Sequence, residues 1–156
     1  MQTDASRTIV TLDGPAGSGK STTAREVARR LGYRYLDSGA LYRMLTFALL
    51  RAGVATERWA QLSAADLAAL PVAADTAGDT LVLRYDGQVL DRELRTPEVN
   101  RWVPEVARLS AVREWLLDTQ RALGRHGRLV ADGRDMGTVV FPEAGTKVFV
   151  QADLEE

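Results

Sequence analysis

Gly14-Pro15-Ala16-Gly17-Ser18-Gly19-Lys20-Ser21 spells G-x-x-x-x-G-K-S, a spacing that lets a short loop wrap a polyphosphate. Its glycines allow consecutive backbone N–H groups to turn toward one anion. The N-terminus of a following helix adds its partial positive charge. In such a loop Lys20 bridges the β- and γ-phosphates of a nucleoside triphosphate, and the Ser21 hydroxyl ligates Mg²⁺. The chain writes its cations as arginine almost throughout, with only two lysines, Lys20 and Lys147, against eighteen arginines. A lysine at this position therefore points to a need for a compact ammonium rather than a guanidinium fork.

Other reactive side chains stand where strands are expected to end. Asp132 closes the apolar run 128–132, and a carboxylate there commonly helps hold Mg²⁺, directly or through water. Gly133-Arg134-Asp135 follows at once. Arg134 either binds phosphate through its two-pronged donor face or forms a surface pair with Asp135. Asp37 and Ser38 close a second aromatic-rich run and are either ligand contacts or a helix cap. Tyr42 and Arg43 fall one turn further on, and Arg43 faces either ligand or solvent. Arg113 lies off the apolar stripe of its helix, with the same two choices. His126, the only histidine, is expected at the surface.

These residues need strands and helices to bring them to one rim. The β-branched stretch 8–13 reads as a buried strand before the loop. After it Ala24, Val27, Ala28 and Leu31 recur at helical spacing, with Gly32 placed to end the helix. Residues 33–37 read as a second strand, expected to pair parallel through a right-handed crossover. Residues 147–150 form the fourth. In open α/β sheets ligands sit beyond the carboxyl ends of the strands, which gathers the loop, Asp37, Ser38, Tyr42, Arg43, Asp132 and Arg134 at one rim. Between them lie a helix over 38–53 and an alanine-rich helical stretch over 56–70 with a possible Ser63-x-x-Asp66 cap. Three short strands follow at 72–75, 81–85 and 88–90, with Asp86-Gly87 as a hairpin turn. Thr96-Pro97-Glu98 opens a helix that Pro104 should kink or end, and Ser110 opens another running to Gly124. Residues 139–142 read as an apolar turn, and 153–156 as the start of a helix.

The composition bounds the class. Length, an apolar fraction of 46% and a net charge of −1 fit one soluble domain and argue against a general nucleic-acid or membrane-surface binder. There is no cysteine, which excludes disulfides and thiolate metal sites and fits a cytoplasmic compartment. The polar start of the chain has no apolar leader, and no stretch reaches membrane-spanning length. The only asparagine, Asn100, is followed by Arg101, so the N-K-x-D guanine motif of a GTPase switch is lacking.

Taken together, several blocks resemble bacterial cytidylate kinases: Leu12-Asp13-Gly14 through Thr22, Tyr35 through Arg43, Leu94 through Val99, Val112-Arg113-Glu114, Gln120-Arg121 and Asp132 through Pro142. The resemblance implies a P-loop nucleoside-monophosphate-kinase-like three-layer α/β fold with a parallel core sheet. The core would span about 1–55 and 110–156, and a small antiparallel NMP-binding insertion about 56–109. It implies transfer of the ATP γ-phosphate to CMP or dCMP with Mg²⁺, by a monomer without nucleic-acid or membrane partners. ATP would meet Gly14, Pro15, Ala16, Gly17, Ser18, Gly19, Lys20, Ser21 and Thr22. Ser38, Arg43, Arg113, Arg134 and Asp135 would line the CMP site, Lys20 and Arg134 would be catalytic, and Ser21 and Asp132 would face the metal. Two departures stand out. Pro104 replaces a serine that contacts cytosine in many members, and the family's arginine-rich lid and C-terminal elements are absent from this sequence. The alternatives are a nucleotide-binding fragment with little turnover, or a kinase for another small acceptor.

Overall fold

The computed structural model describes residues 4–153. Four parallel strands form the main sheet: β1 (Ile9–Asp13), β2 (Arg34–Asp37), β6 (Leu129–Gly133) and β7 (Thr146–Phe149), in the order β2-β6-β1-β7. The crossover from β1 to β2 is parallel, as expected, but the two strands are not neighbours. β6 lies between them and pairs with both. Its five residues are all buried, which suits a run with no polar face to spare.

The chain divides into two compact units. The first comprises Met1–Ser38, Thr76–Leu81 and Gln120–Glu156, and the second Gly39–Asp75 and Val82–Thr119. In the first, a short helix α1 (Asp4–Arg7) precedes β1, and helix α2 (Lys20–Leu31) covers the sheet. Ala24 and Ala28 of α2 are buried against Leu12 and Val130, and these small side chains let helix and strands approach closely. Leu31, expected on the same stripe, is 49% exposed: it is the last helical residue, where the backbone already turns into Gly32 in the left-handed region.

In the second unit, helix α3 (Ser38–Arg51) buries Leu41, Met44, Leu45, Ala48 and Leu49, and Gly53 closes it. The stretch expected to be helical over 56–70 is broken. A 3₁₀ segment, Thr56–Gln61, gives way to extended Leu62 and Ser63 before α4 (Ala64–Ala68). The break follows from the capping box: the Ser63 hydroxyl accepts from the Asp66 N–H while the Asp66 carboxylate accepts from the Ser63 N–H. Holding that geometry requires extended backbone at residue 63. Strands β3 (Val72–Ala77), β4 (Thr80–Tyr85) and β5 (Gln88–Val89) form a separate three-stranded sheet. Asp86 and Gly87 both have positive φ, 49° and 77°, the signature of the two-residue hairpin expected there.

Thr96 caps α5 (Pro97–Val106), accepting from the Val99 N–H. The helix runs through Pro104 rather than ending at it. Only one N–H is lost near the end, and the ladder resumes with Ala107 donating to the Val103 carbonyl at 2.9 Å. Helix α6 (Ser110–Leu123) buries Val112, Leu116 and Gln120 along one face. After a 3₁₀ turn at Arg92–Arg95 and α6, the remaining element is a π-helical turn, Met136–Val140. Residues 139–142 were expected to form a plain turn; instead Val139 and Val140 close this π turn. Asp153 is irregular, and the remainder of the helix expected over 153–156 lies outside the described residues. Among the described residues no helix is long and apolar enough to cross a membrane.

Candidate active site

The register of the main sheet sets the site. Asp13 on β1 is level with Gly133 on β6, and Asp37 on β2 is level with Asp132. The carboxyl ends of three strands therefore finish together, and the glycine loop leaves β1 at that rim. Gly14 donates to the Gly133 carbonyl at 3.3 Å, tying the loop's first residue to the strand that carries Asp132.

The loop needs glycine for two different reasons. Gly14 is enclosed: a Cβ there would lie 2.3 Å from the Val150 carbonyl oxygen. Gly17 and Gly19 instead have φ of 76° and 83° with open space around them, so conformation alone demands glycine. Gly19 is the N-cap of α2, whose first residues are Lys20 and Ser21. The Ser18 hydroxyl oxygen is buried in the loop and has no hydrogen-bond partner among the described residues. A buried hydroxyl without a partner is a group waiting for one, and a phosphate oxygen meets that need.

Asp132 is the most enclosed acid of the rim, at 2% exposure. Burial holds its carboxyl above the usual carboxylate range, and the negative charge of Asp37 pushes the same way. Hydrogen bonds from the Tyr35 and Ser21 hydroxyls and the positive charge of Lys20 pull it back. The phenol of Tyr35 is raised above its ordinary range by burial first, then by Asp37 and by its bond to Asp132. The Arg25 guanidinium lies over its ring, 5.6 Å from the centroid. A hydroxyl on the first turn of a helix and a carboxylate at the adjacent strand end are both hard oxygen donors, and that set fits Mg²⁺.

Tyr35 is the residue that the sequence did not single out. The signal was present as alternation: Tyr35 and Asp37 are two apart on a strand and so share a face.

Ser38 is buried, Arg134 is exposed, and Asp135 is half-buried, all in the first unit. Arg43 and Arg113 belong to the second unit. There Arg43 donates to the side-chain oxygen of Asn100 and to the Leu94 carbonyl, while Arg113 is exposed on α6. His126 is exposed, as expected of a surface residue.

A profile of the cytidylate kinase family matches residues 10–156. The chain belongs to the cytidylate kinase family. A cytidylate kinase of Salinibacter ruber is 49% identical over 155 residues, covering 95% of this chain and 66% of that protein. One from Pseudomonas fluorescens is 49% identical over 150 residues, covering 95% of this chain and 65% of the relative. A bifunctional pantoate ligase/cytidylate kinase of a Synechococcus species is 42% identical over 153 residues, covering 96% of this chain and 28% of that protein. The chain thus spans about two thirds of the length of the first two relatives.

Proposed function

We propose that this chain binds Mg·ATP at the 14–22 loop and passes the γ-phosphoryl group to CMP or dCMP, giving ADP and CDP or dCDP. The observation that carries the reading is the common rim. The sheet register holds the glycine loop, Asp132 and the Arg134-Asp135 segment at one end of one sheet. The activity for which the relatives are named supplies the acceptor.

In this reading the loop N–H groups and the α2 N-terminus hold the β-phosphate, and the Lys20 ammonium bridges to the γ-phosphate. Ser21 and Asp132 would hold Mg²⁺, which supplies charge neutralisation between the two phosphates. An oxygen of the CMP phosphate forms the new bond to phosphorus as the bond to the ADP oxygen breaks. The protein contributes alignment and neutralisation rather than a covalent intermediate. Arg134 meets the acceptor phosphate with its planar donor pair, and Asp135 and Ser38 accept from or donate to the nucleoside. Arg43 and Arg113 are proposed as further acceptor ligands by resemblance alone, as is the role of about 56–109 as the acceptor-binding insertion. The reading also carries a monomer working in the cytoplasm, where both nucleotides are available.

The test is calorimetric titration of the full chain with Mg·ATP, CMP, dCMP, UMP and AMP. Saturable binding of Mg·ATP together with CMP or dCMP, and weaker binding of UMP and AMP, is expected. Mg·ATP binding with no preference among the monophosphates would refute the acceptor assignment.

A further inference from the structure

The rim also holds one buried carboxylate to which the proposed chemistry assigns no part. Asp13 is 8% exposed and ends β1 immediately before the loop. One of its carboxylate oxygens accepts from the Met136 N–H and the other from the Gly137 N–H, both at 2.8 Å. The next residue, Gly14, donates to the Gly133 carbonyl at 3.3 Å. Gly133 and Met136 are thus both fastened to consecutive residues of β1 and the loop. Only Arg134 and Asp135 lie between the two fastenings.

The rest of the π turn is held to match. The Arg121 guanidinium donates to the Val139 and Val140 carbonyls at 3.0 and 3.1 Å. A carboxylate at the N–H end and a guanidinium at the carbonyl end both complement the dipole of the turn. Gly137 lies so close to β1 that a Cβ would fall 2.7 Å from the Thr11 hydroxyl oxygen.

We propose that Asp13 is a positioning residue that fixes Arg134 and Asp135 beside the phosphate loop, by clamping the two peptide N–H groups that follow them. The proposal rests on the acceptor reading given above. It also explains the residue type. Two N–H groups need two acceptors, and only an ionised carboxylate offers both without a donor; asparagine would set its NH₂ against one N–H. The side chain that prepares the acceptor segment thus sits on the residue that leads into the donor's loop.

The experiment compares wild type, Asp13→Asn and Arg121→Met as full chains. It measures dissociation constants for Mg·ATP and CMP, and hydrogen exchange at the Met136 and Gly137 amides. In Asp13→Asn, CMP binding should weaken by about tenfold or more, the effect of losing a charge-assisted hydrogen bond in a buried place. Mg·ATP binding should change by less than about threefold, and both amides should exchange faster. Equal weakening of both ligands would make Asp13 merely structural, and unchanged CMP binding or unchanged exchange would also overturn the role. If Asp13→Asn does not fold, the wild type decides: Met136 and Gly137 amides that exchange as fast as free peptide N–H groups overturn the clamp, and Arg121→Met, which leaves the Asp13 bonds in place, should keep both amides protected. A wild type that binds Mg·ATP but not CMP refutes the acceptor reading and takes this role with it. A wild type that binds CMP no better than a folded Asp13→Asn variant sinks the role of Asp13 alone.

Discussion

Replacing Gly14 by alanine tests the geometry of the loop entrance. The added Cβ would lie 2.3 Å from the Val150 carbonyl oxygen and 3.2 Å from the Ser18 hydroxyl oxygen. Ser18 can rotate away, but the Val150 carbonyl is backbone, and the Val150 N–H is itself bound to the Asp13 carbonyl at 2.7 Å. Relief therefore requires the two segments to part by about 0.7 Å, an overpacking of the kind that destabilises by about 1–3 kcal/mol. The melting temperature should fall by roughly 2–4 °C for each of those kcal/mol in a chain of this size. Because the displacement occurs where the loop leaves β1, its N–H groups move off the phosphate, and Mg·ATP affinity should drop about tenfold, one hydrogen bond's worth. Gly17→Ala is the comparison. Its φ of 76° is disfavoured for alanine, but no atom lies within 4 Å of the new Cβ. It should lose about 1 kcal/mol from backbone conformation with no displaced neighbour. Circular dichroism melts with and without Mg·ATP, and calorimetric titration, measure both effects. Wild-type stability and affinity in Gly14→Ala would refute the close approach on which the argument rests.

Three further substitutions address the chemistry. Lys20→Ala should abolish phosphoryl transfer while leaving the melting temperature within about 1 °C, since the side chain is only partly buried; retained transfer would remove the lysine from its role. Arg134→Ala should weaken CMP binding by about tenfold or more and Mg·ATP binding far less, as expected for loss of a paired guanidinium–phosphate contact. Equal losses would move Arg134 out of the acceptor site. Tyr35→Phe removes the hydroxyl that donates to Asp132, so the Mg²⁺ concentration giving half-maximal ADP binding, followed by a fluorescent analogue, should rise severalfold. An unchanged Mg²⁺ titration would separate Tyr35 from the metal site.

Much of this arrangement is legible in the sequence itself. The glycine spacing, the apolar run before it and the strand ending in Asp132 announce a parallel sheet with a ligand rim. Asp86-Gly87 announces its hairpin, because two consecutive positive-φ positions tolerate few residue types. What the residues could not announce depends on long-range order. The insertion of β6 between β1 and β2 brings residues about a hundred positions apart into register, and no local pattern encodes a strand's neighbour. The bond between Tyr35 and Asp132 exists only through that pairing, as does the clamp of Asp13 on Met136 and Gly137. Local signals also competed. Ser63 was read as a cap inside a helical stretch, and the cap prevailed because its hydrogen bonds require extended backbone at residue 63. Pro104 reads as a kink or an end, yet so near the helix end it removes one bond and leaves the last turn intact.

The most direct test of the account is transfer of label from [γ-³²P]ATP, with Mg²⁺, to CMP by the full chain, with the product resolved chromatographically. The account predicts labelled CDP when CMP is present, labelled dCDP when dCMP replaces it, no labelled diphosphate without either, and none with Lys20→Ala. Label appearing only as inorganic phosphate, or in CDP at the same rate with Lys20→Ala, would contradict it.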